Sequence, residues 1–222
     1  MNDLGVIFDM DGVLVDSYQA HYQSWREAAR HYGLELAEPD FARTFGRTSR
    51  EIISQLWPGR FSEAEIAAFD CRKEAAYRAI LEQHFPEMVG AGALLAALHA
   101  AGFRLAIGSS GPPENVALVR RQMPNGHLFT ATVNGAEVRH GKPDPAVFLL
   151  AAQKLGVPPE RCAVVEDAVV GLQAARRAGM RAIGLTGTAT RATLAPYADR
   201  VVDGLAELTP GGIAELLRPA GR

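Results

Sequence analysis

Val6-Ile7-Phe8-Asp9-Met10-Asp11-Gly12-Val13-Leu14-Val15-Asp16-Ser17 runs an apolar stretch straight into two acids one residue apart, then a glycine. The apolar run predicts a strand over Val6 to Asp9, and a buried strand that ends in carboxylates is costly to build. An unpaired charge beside an apolar core loses its hydration or changes its pKa. Three uses offset that cost: a metal, a nucleophile, or an acid/base pair at the strand's C-terminal edge. The plain structural alternative is an Asp-x-Asp-Gly turn, so the rest of the chain has to decide.

From about residue 90 onward one pattern repeats. Gly92 to Ala101 reads as a helix with Gly102 as its stop, and Phe103 to Gly108 as a strand. Pro145 to Leu155 is a second helix ending at Gly156, followed by a strand over Arg161 to Val165. Ala168 to Ala178 is a third helix ending at Gly179, followed by a strand over Arg181 to Leu185. Ala131 to Val133 and Arg200 to Val202 read as shorter strands. Short apolar strands alternating with helices predict a parallel, doubly wound α/β sheet.

The stretch from Ser17 to Glu87 breaks that pattern. It holds helical segments, roughly 17–32, 49–56 and 63–84, and no strand. Gly33, Pro39, Gly46 and Pro58-Gly59 punctuate it. The expected organisation is therefore a Rossmann-like catalytic core from residues 1–16 and 88–222, with a helical cap inserted over 17–87.

Composition narrows the class. The 222 residues are 48% hydrophobic and 22% charged, with net charge −2, which is ordinary globular composition without the basic footprint of a nucleic-acid binder. No apolar run approaches the roughly 18 residues of a membrane span, and acids at Asp3 and Asp9 argue against a signal peptide. Cys71 and Cys162 lie far apart in no metal spacing, which suits free thiols in a reducing cytoplasm. A cytoplasmic monomer acting on a small molecule, with no nucleic-acid or membrane partner, is expected. Of the 23 basic residues only Lys73, Lys142 and Lys154 are lysines, so each lysine invites a question.

Four segments fall at C-terminal ends of predicted strands, the edge where open α/β sheets bind ligands. They are Asp9-Met10-Asp11, Ser109-Ser110-Gly111, Gly141-Lys142-Pro143-Asp144-Pro145 and Glu166-Asp167. Ser109-Ser110-Gly111 opens a helix through Pro112-Pro113; its hydroxyls, amides and helix terminus suit a phosphate, and a simple Ser N-cap is the alternative. Lys142, held between Gly141 and Pro143 in an arginine-rich chain, suggests a place that needs a compact ammonium. Glu166-Asp167 suits a hard cation with oxygen ligands, or a helix N-cap at Asp167. Asp9, Asp11, Glu166 and Asp167 together gather up to four negative charges, and a phosphate adds nearly two more. Like charges about 4 Å apart repel by roughly 4 kcal/mol at an effective dielectric near 20. One Mg²⁺ and Lys142 supply the missing positive charge, so the acids, lysine and anion loop make sense together as a metal-assisted phosphoryl-transfer site.

This set, in this order, resembles the haloacid dehalogenase-like superfamily, and within it the branch of sugar-phosphate phosphatases and β-phosphoglucomutases. The resemblance covers nearly the whole chain and implies a Rossmann-like core with a helical cap. It further implies Asp9 as nucleophile and Asp11 as general acid/base, with Ser109 and Lys142 holding the phosphoryl group. Mg²⁺ would be bound by Asp9, Asp167, the backbone carbonyl of Asp11 and, directly or through water, Glu166. A second acid at Asp11 argues against dehalogenation, because a halide leaves without a proton. Lys73, deep in a predicted helix, is a poor match for the cap lysine of phosphonate hydrolysis.

In the cap, His21 and Trp25 resemble the branch's His-x-x-x-Trp pattern, four residues apart on one helix face, with core packing for Trp25 and a surface hydrogen bond for His21 as the alternatives. Gly46, Arg47 and Arg50 resemble its substrate loop, while exposed arginines at a helix start are the plain alternative. Two departures from the mutase pattern weaken that activity. Phe45 stands where the mutase loop Lys-Gly-x-Ser-Arg has Lys, and one more residue separates Gly46 from Arg50. Ala168 replaces the Ser found in many relatives. The expected activity is a Mg²⁺-dependent phosphatase of a small phosphorylated metabolite through an aspartyl-phosphate. β-Phosphoglucomutase-like isomerisation is the alternative, and a non-catalytic phosphometabolite sensor the more distant one.

Overall fold

The first strand, β1 (Gly5–Phe8), is buried along its whole length, as an apolar run flanked on both sides must be. The computed structural model describes residues 4–44 and 47–218. β1 pairs in parallel with β2 (Arg104–Gly108) on one side and β4 (Cys162–Glu166) on the other. With β3 (Phe129–Val133), β5 (Arg181–Leu185) and β6 (Arg200–Val202) the sheet has the order β3-β2-β1-β4-β5-β6. The chain first winds outward through β2 and β3, then returns past β1 to lay down β4. The gap between β1 and β4 is thus the point where the winding reverses, where such sheets take ligands.

The chain divides into two compact units, Met1–Asp16 with Pro86–Arg222, and Ser17–Phe85. In the sheet unit, α5 (Ala91–Ala100) packs on β2 and α6 (Pro113–Gln122) on β3. The helices α7 (Ala146–Leu155) and α8 (Val169–Arg177) bury Phe148, Ala151, Leu172 and Ala175 in one core with Ile7, Ala106, Val164 and Ala182. Their small residues let helix and sheet approach closely. The short α9 (Arg191–Leu194) and α10 (Pro210–Leu216) complete the unit. The doubly wound α/β class read from the strand–helix alternation is the observed one. Gly102, Gly156 and Gly179 follow α5, α7 and α8 with positive φ, so they are the stops the sequence suggests. β3 starts two residues before its expected Ala131, and β4 is shifted one residue onward, so Glu166 is itself a strand residue.

The unit 17–85 is helical: α1 (Tyr18–His31), α2 (Glu38–Ala42), α3 (Ser49–Leu56) and α4 (Glu63–Gln83). Its own core gathers Trp25, Phe41, Ile53 and Phe69, with Tyr32 stacked on Phe69 at 5.2 Å. Thr48 with Glu51, and Ser62 with Glu65, form reciprocal capping boxes that start α3 and α4. α2 is an element that the sequence pattern does not announce. Pro39 looks like a break, but in the first turn of a helix the missing N–H has no partner to lose.

Candidate active site

Asp9 follows β1 and still pairs as strand: its N–H donates to Val165 O at 3.0 Å. That bond sets Asp9 beside Glu166, the last residue of β4, so backbone register brings two acids together. Asp167 follows directly. Ligand oxygens of Asp9, Glu166 and Asp167 lie within 4.8 Å of one another, and all three residues are buried. Lys142, from the loop before α7, places its Nζ 2.5 Å from Asp9 Oδ1 and 2.8 Å from Glu166 Oε1. The ring of Phe148 lies 4.8 Å beneath the ammonium and shields it from solvent on that side.

The electrostatics follow from this crowding. Burial, above all, pushes the Asp9 carboxyl up to about 7; Lys142 pulls it down, while Glu166 and Asp11 push it further up. Asp167 is likewise raised, by burial first and then by repulsion from Glu166 and Asp9. Burial alone would lower Lys142, but attraction to Asp9 and Glu166 outweighs it and leaves the ammonium raised and charged. One ammonium against three buried carboxylates leaves the cluster short of positive charge. Three hard oxygen donors this close fit a divalent cation such as Mg²⁺, which would favour their ionised forms.

Small residues make the approach of these groups possible. A Cβ on Gly171 would fall 1.7 Å from Glu166 Oε1, so α8 carries glycine where Glu166 lies against it. Glu166 Oε2 also accepts the N–H of Ala168 at 2.7 Å, at the start of that helix. Ala168, not Asp167, occupies the α8 N-cap, which leaves the Asp167 carboxylate free of that duty. Gly12 has φ +73°, and a Cβ there would fall 2.0 Å from Asp167 Oδ2 and 3.2 Å from Thr188 Oγ1. Asp11 is half-buried in the tight turn that follows β1, where Gly12 N donates to Val15 O at 2.8 Å.

Ser109 directly follows β2 and is buried, with its N–H donating to Val133 O. Its hydroxyl accepts the N–H of Gly111 at 2.9 Å, which leaves the hydroxyl proton to donate elsewhere. Gly111 O in turn accepts the N–H of Gly135 at 2.8 Å, and a Cβ on Gly135 would fall 2.3 Å from Ser110 O. The Ser109-Ser110-Gly111 loop is therefore fastened to the segment that leads to Lys142.

The remaining residues singled out from the sequence belong to the helical unit. His21 stacks on Tyr77, ring centroids 4.2 Å apart. Trp25 is 2% exposed and packs against Phe69 in the core of that unit. Arg47 donates to Gln55 Oε1 at 2.5 Å and Arg50 pairs with Glu63, both on the surface. Gly46 lies outside the described residues. Gly171 and Thr188 are the contributors that sequence reasoning missed. Both act through three-dimensional approach, and only the threonine-rich run Thr186-Gly187-Thr188-Ala189-Thr190 after a strand hinted at polar chemistry there.

The chain is similar to known proteins over most of its length. The chain is 35% identical over 205 residues to hexitol phosphatase A of Escherichia coli (strain K12), covering 92% of this chain and 93% of that one. It is 30% identical over 187 residues to β-phosphoglucomutase of Bacillus subtilis (strain 168), covering 81% and 82%. The crystal structure of a haloacid dehalogenase-type hydrolase from Entamoeba histolytica superposes with a TM-score of 0.87 at 26% identity, over 96% of this chain and 99% of that one. The model of the haloacid dehalogenase-like hydrolases matches residues 4–179. With that match spanning most of the chain, and relatives at 30% identity or more over most of its length, this chain belongs to the haloacid dehalogenase-like hydrolase family.

Proposed function

We propose that the protein is a Mg²⁺-dependent phosphatase of a small phosphorylated metabolite, a phosphorylated sugar in the first instance, working through an aspartyl-phosphate. One observation carries the reading: the Asp9 carboxylate sits 2.5 Å from a buried ammonium and shares its pocket with two further acids. A carboxylate held this way is a nucleophile, and the ammonium beside it receives the anion it attacks.

Asp9 attacks phosphorus; a bond forms from its carboxylate oxygen, and the bond from phosphorus to the substrate oxygen breaks in line with it. Asp11 gives its proton to the departing oxygen, then takes one from the water that attacks phosphorus, whose bond to Asp9 breaks to release phosphate and restore the carboxylate. Lys142 and the Ser109 hydroxyl hold the transferring oxygens, with Ser110 and Gly111 lining the same anion loop. Asp9, Asp167, Glu166 and the backbone carbonyl of Asp11 are the groups that would hold Mg²⁺, which would supply the positive charge that the buried acids and an incoming phosphate lack. His21, Trp25, Gly46, Arg47 and Arg50 are proposed for substrate choice, Trp25 through packing.

Isomerisation within a sugar phosphate is the second reading, favoured by the likeness to a β-phosphoglucomutase and weakened by Phe45 and the lengthened loop to Arg50. A phosphate-release screen across phosphorylated sugars, with and without Mg²⁺, tests both. It should include β-glucose 1-phosphate with a bisphosphate primer and an assay for glucose 6-phosphate. Metal-dependent phosphate release supports the phosphatase, and isomerisation with little release makes the protein a mutase. Mg²⁺-dependent binding without turnover of any substrate would instead identify a sensor.

A further inference from the structure

Thr188 lies in the loop between β5 and α9, at the sheet edge that carries Glu166 and Asp167. Register explains its reach: Glu166 pairs with Gly184, so the chain leaving β5 runs alongside the chain leaving β4. The Asp167 carboxylate and the Thr188 hydroxyl converge on one point, the space that Gly12 leaves open by having no side chain. A side-chain hydrogen bond joins Thr188 to Asp167.

The charge pattern says why a threonine belongs there. Lys142 is committed to Asp9 and Glu166, at 2.5 and 2.8 Å. Asp167 is a third buried carboxylate and needs a donor to fix its orientation. An arginine or lysine would fix it but would also neutralise it, and a cation site needs that charge. A hydroxyl orients the carboxylate and leaves its charge for the metal. We propose that Thr188 is a positioning residue, whose hydroxyl donates to Asp167 and holds that carboxylate in the cluster with Asp9 and Glu166 for a divalent cation. The inference rests on the Mg²⁺ reading above.

Thr188 is exposed, so changing it leaves the core intact. The test measures Mg²⁺ binding to the full chain without substrate, by titration calorimetry and by the rise in Tm with Mg²⁺ concentration. Wild type, Thr188→Val and Thr188→Ser are compared. Thr188→Val should raise the Kd for Mg²⁺ by about tenfold, with the metal-free Tm unchanged, and Thr188→Ser should bind as wild type does. Wild-type affinity in Thr188→Val overturns the proposal. So does an equal loss in Thr188→Ser, which would assign the effect to the methyl group. A wild-type chain that binds no Mg²⁺ fails differently, and removes the metal reading together with this inference.

Discussion

Asp9 holds its proton up to about pH 7 in the folded chain, against 3.8 for an ordinary aspartate. Between those values the folded state binds more protons than the unfolded one. The group therefore favours folding most at low pH, and that contribution is lost as pH rises through about 7. At pH 8 the ionised, buried carboxylate is a net cost in the metal-free protein. Asp9→Asn should abolish turnover, and it should also raise the metal-free Tm relative to wild type more at pH 8 than at pH 5. The difference corresponds to about 2–4 kcal/mol. Thermal melts at both pH values decide it, and a constant Tm gap would contradict the assignment. Saturating Mg²⁺ should narrow the gap, because a cation favours the ionised wild-type group. Asp11→Asn should slow alkyl phosphates by about 10²–10⁴-fold and p-nitrophenyl phosphate much less, since p-nitrophenolate leaves without a proton. Equal losses on both would remove Asp11 from the role of general acid. These acids were legible in the sequence because a buried strand has few other reasons to end in carboxylates. Gly171 and Thr188 were not, because what they do depends on which atoms approach them in space.

At the scale of elements, α8 shows propensity yielding to the site. Gly171 costs the helix about 1 kcal/mol relative to alanine, yet the space is filled by Glu166. Gly171→Ala should therefore be destabilising instead of stabilising. It should also lower kcat by at least about tenfold by dislodging Glu166 from Lys142, a loss on the scale of disturbing a support of a metal ligand. Thermal melts and initial rates measure the two effects; a more stable and fully active Gly171→Ala would contradict the packing. The β3-α7 connection is built in the same spirit. Lys154 reaches from α7 to Thr132 O at 2.8 Å and pairs with Glu137, which caps the turn at Asn134. Two of the chain's three lysines thus serve the segment 132–145, one as its fastening and one as its charge. Helix ends at Gly102, Gly156 and Gly179 were legible because a left-handed residue is a local requirement. α2 was not, because Pro39 has opposite meanings inside a helix and at its start.

At the scale of the whole molecule, two cores of different character share one chain. The sheet unit packs small and aliphatic residues, whereas the unit 17–85 depends on a cluster of aromatic rings around Phe69. The Asp9, Glu166 and Asp167 cluster belongs entirely to the first. Phe69→Ala should cost about 3–5 kcal/mol and fall on the helical unit. Mg²⁺ affinity, measured by calorimetry below the first melting transition, should stay within about twofold of wild type. A large loss of affinity would show that the helical unit supports the acid cluster. The alternation of strands and helices makes the α/β class readable along the chain, since periodicity and glycine stops are local signals. The segment 17–85 announces itself by breaking that rhythm, but its ring-on-ring packing depends on partners far apart in sequence.

The N–H of Asp9 bonded to Val165 O ties the distance between Asp9 and Glu166 to the sheet itself. Side chains alternate along a strand, so sliding one strand past the other by a single residue would turn an acid away from its partner and an aliphatic residue toward it. The site therefore obeys a counting rule. Losing or gaining one residue within β1 or β4 would disrupt it without altering any of its side chains, while the connections at the opposite end of the sheet, which carry none of its residues, can change length. In this protein the spacing of the acids is kept by the backbone, and drift in length has to be confined to connections away from that edge of the sheet.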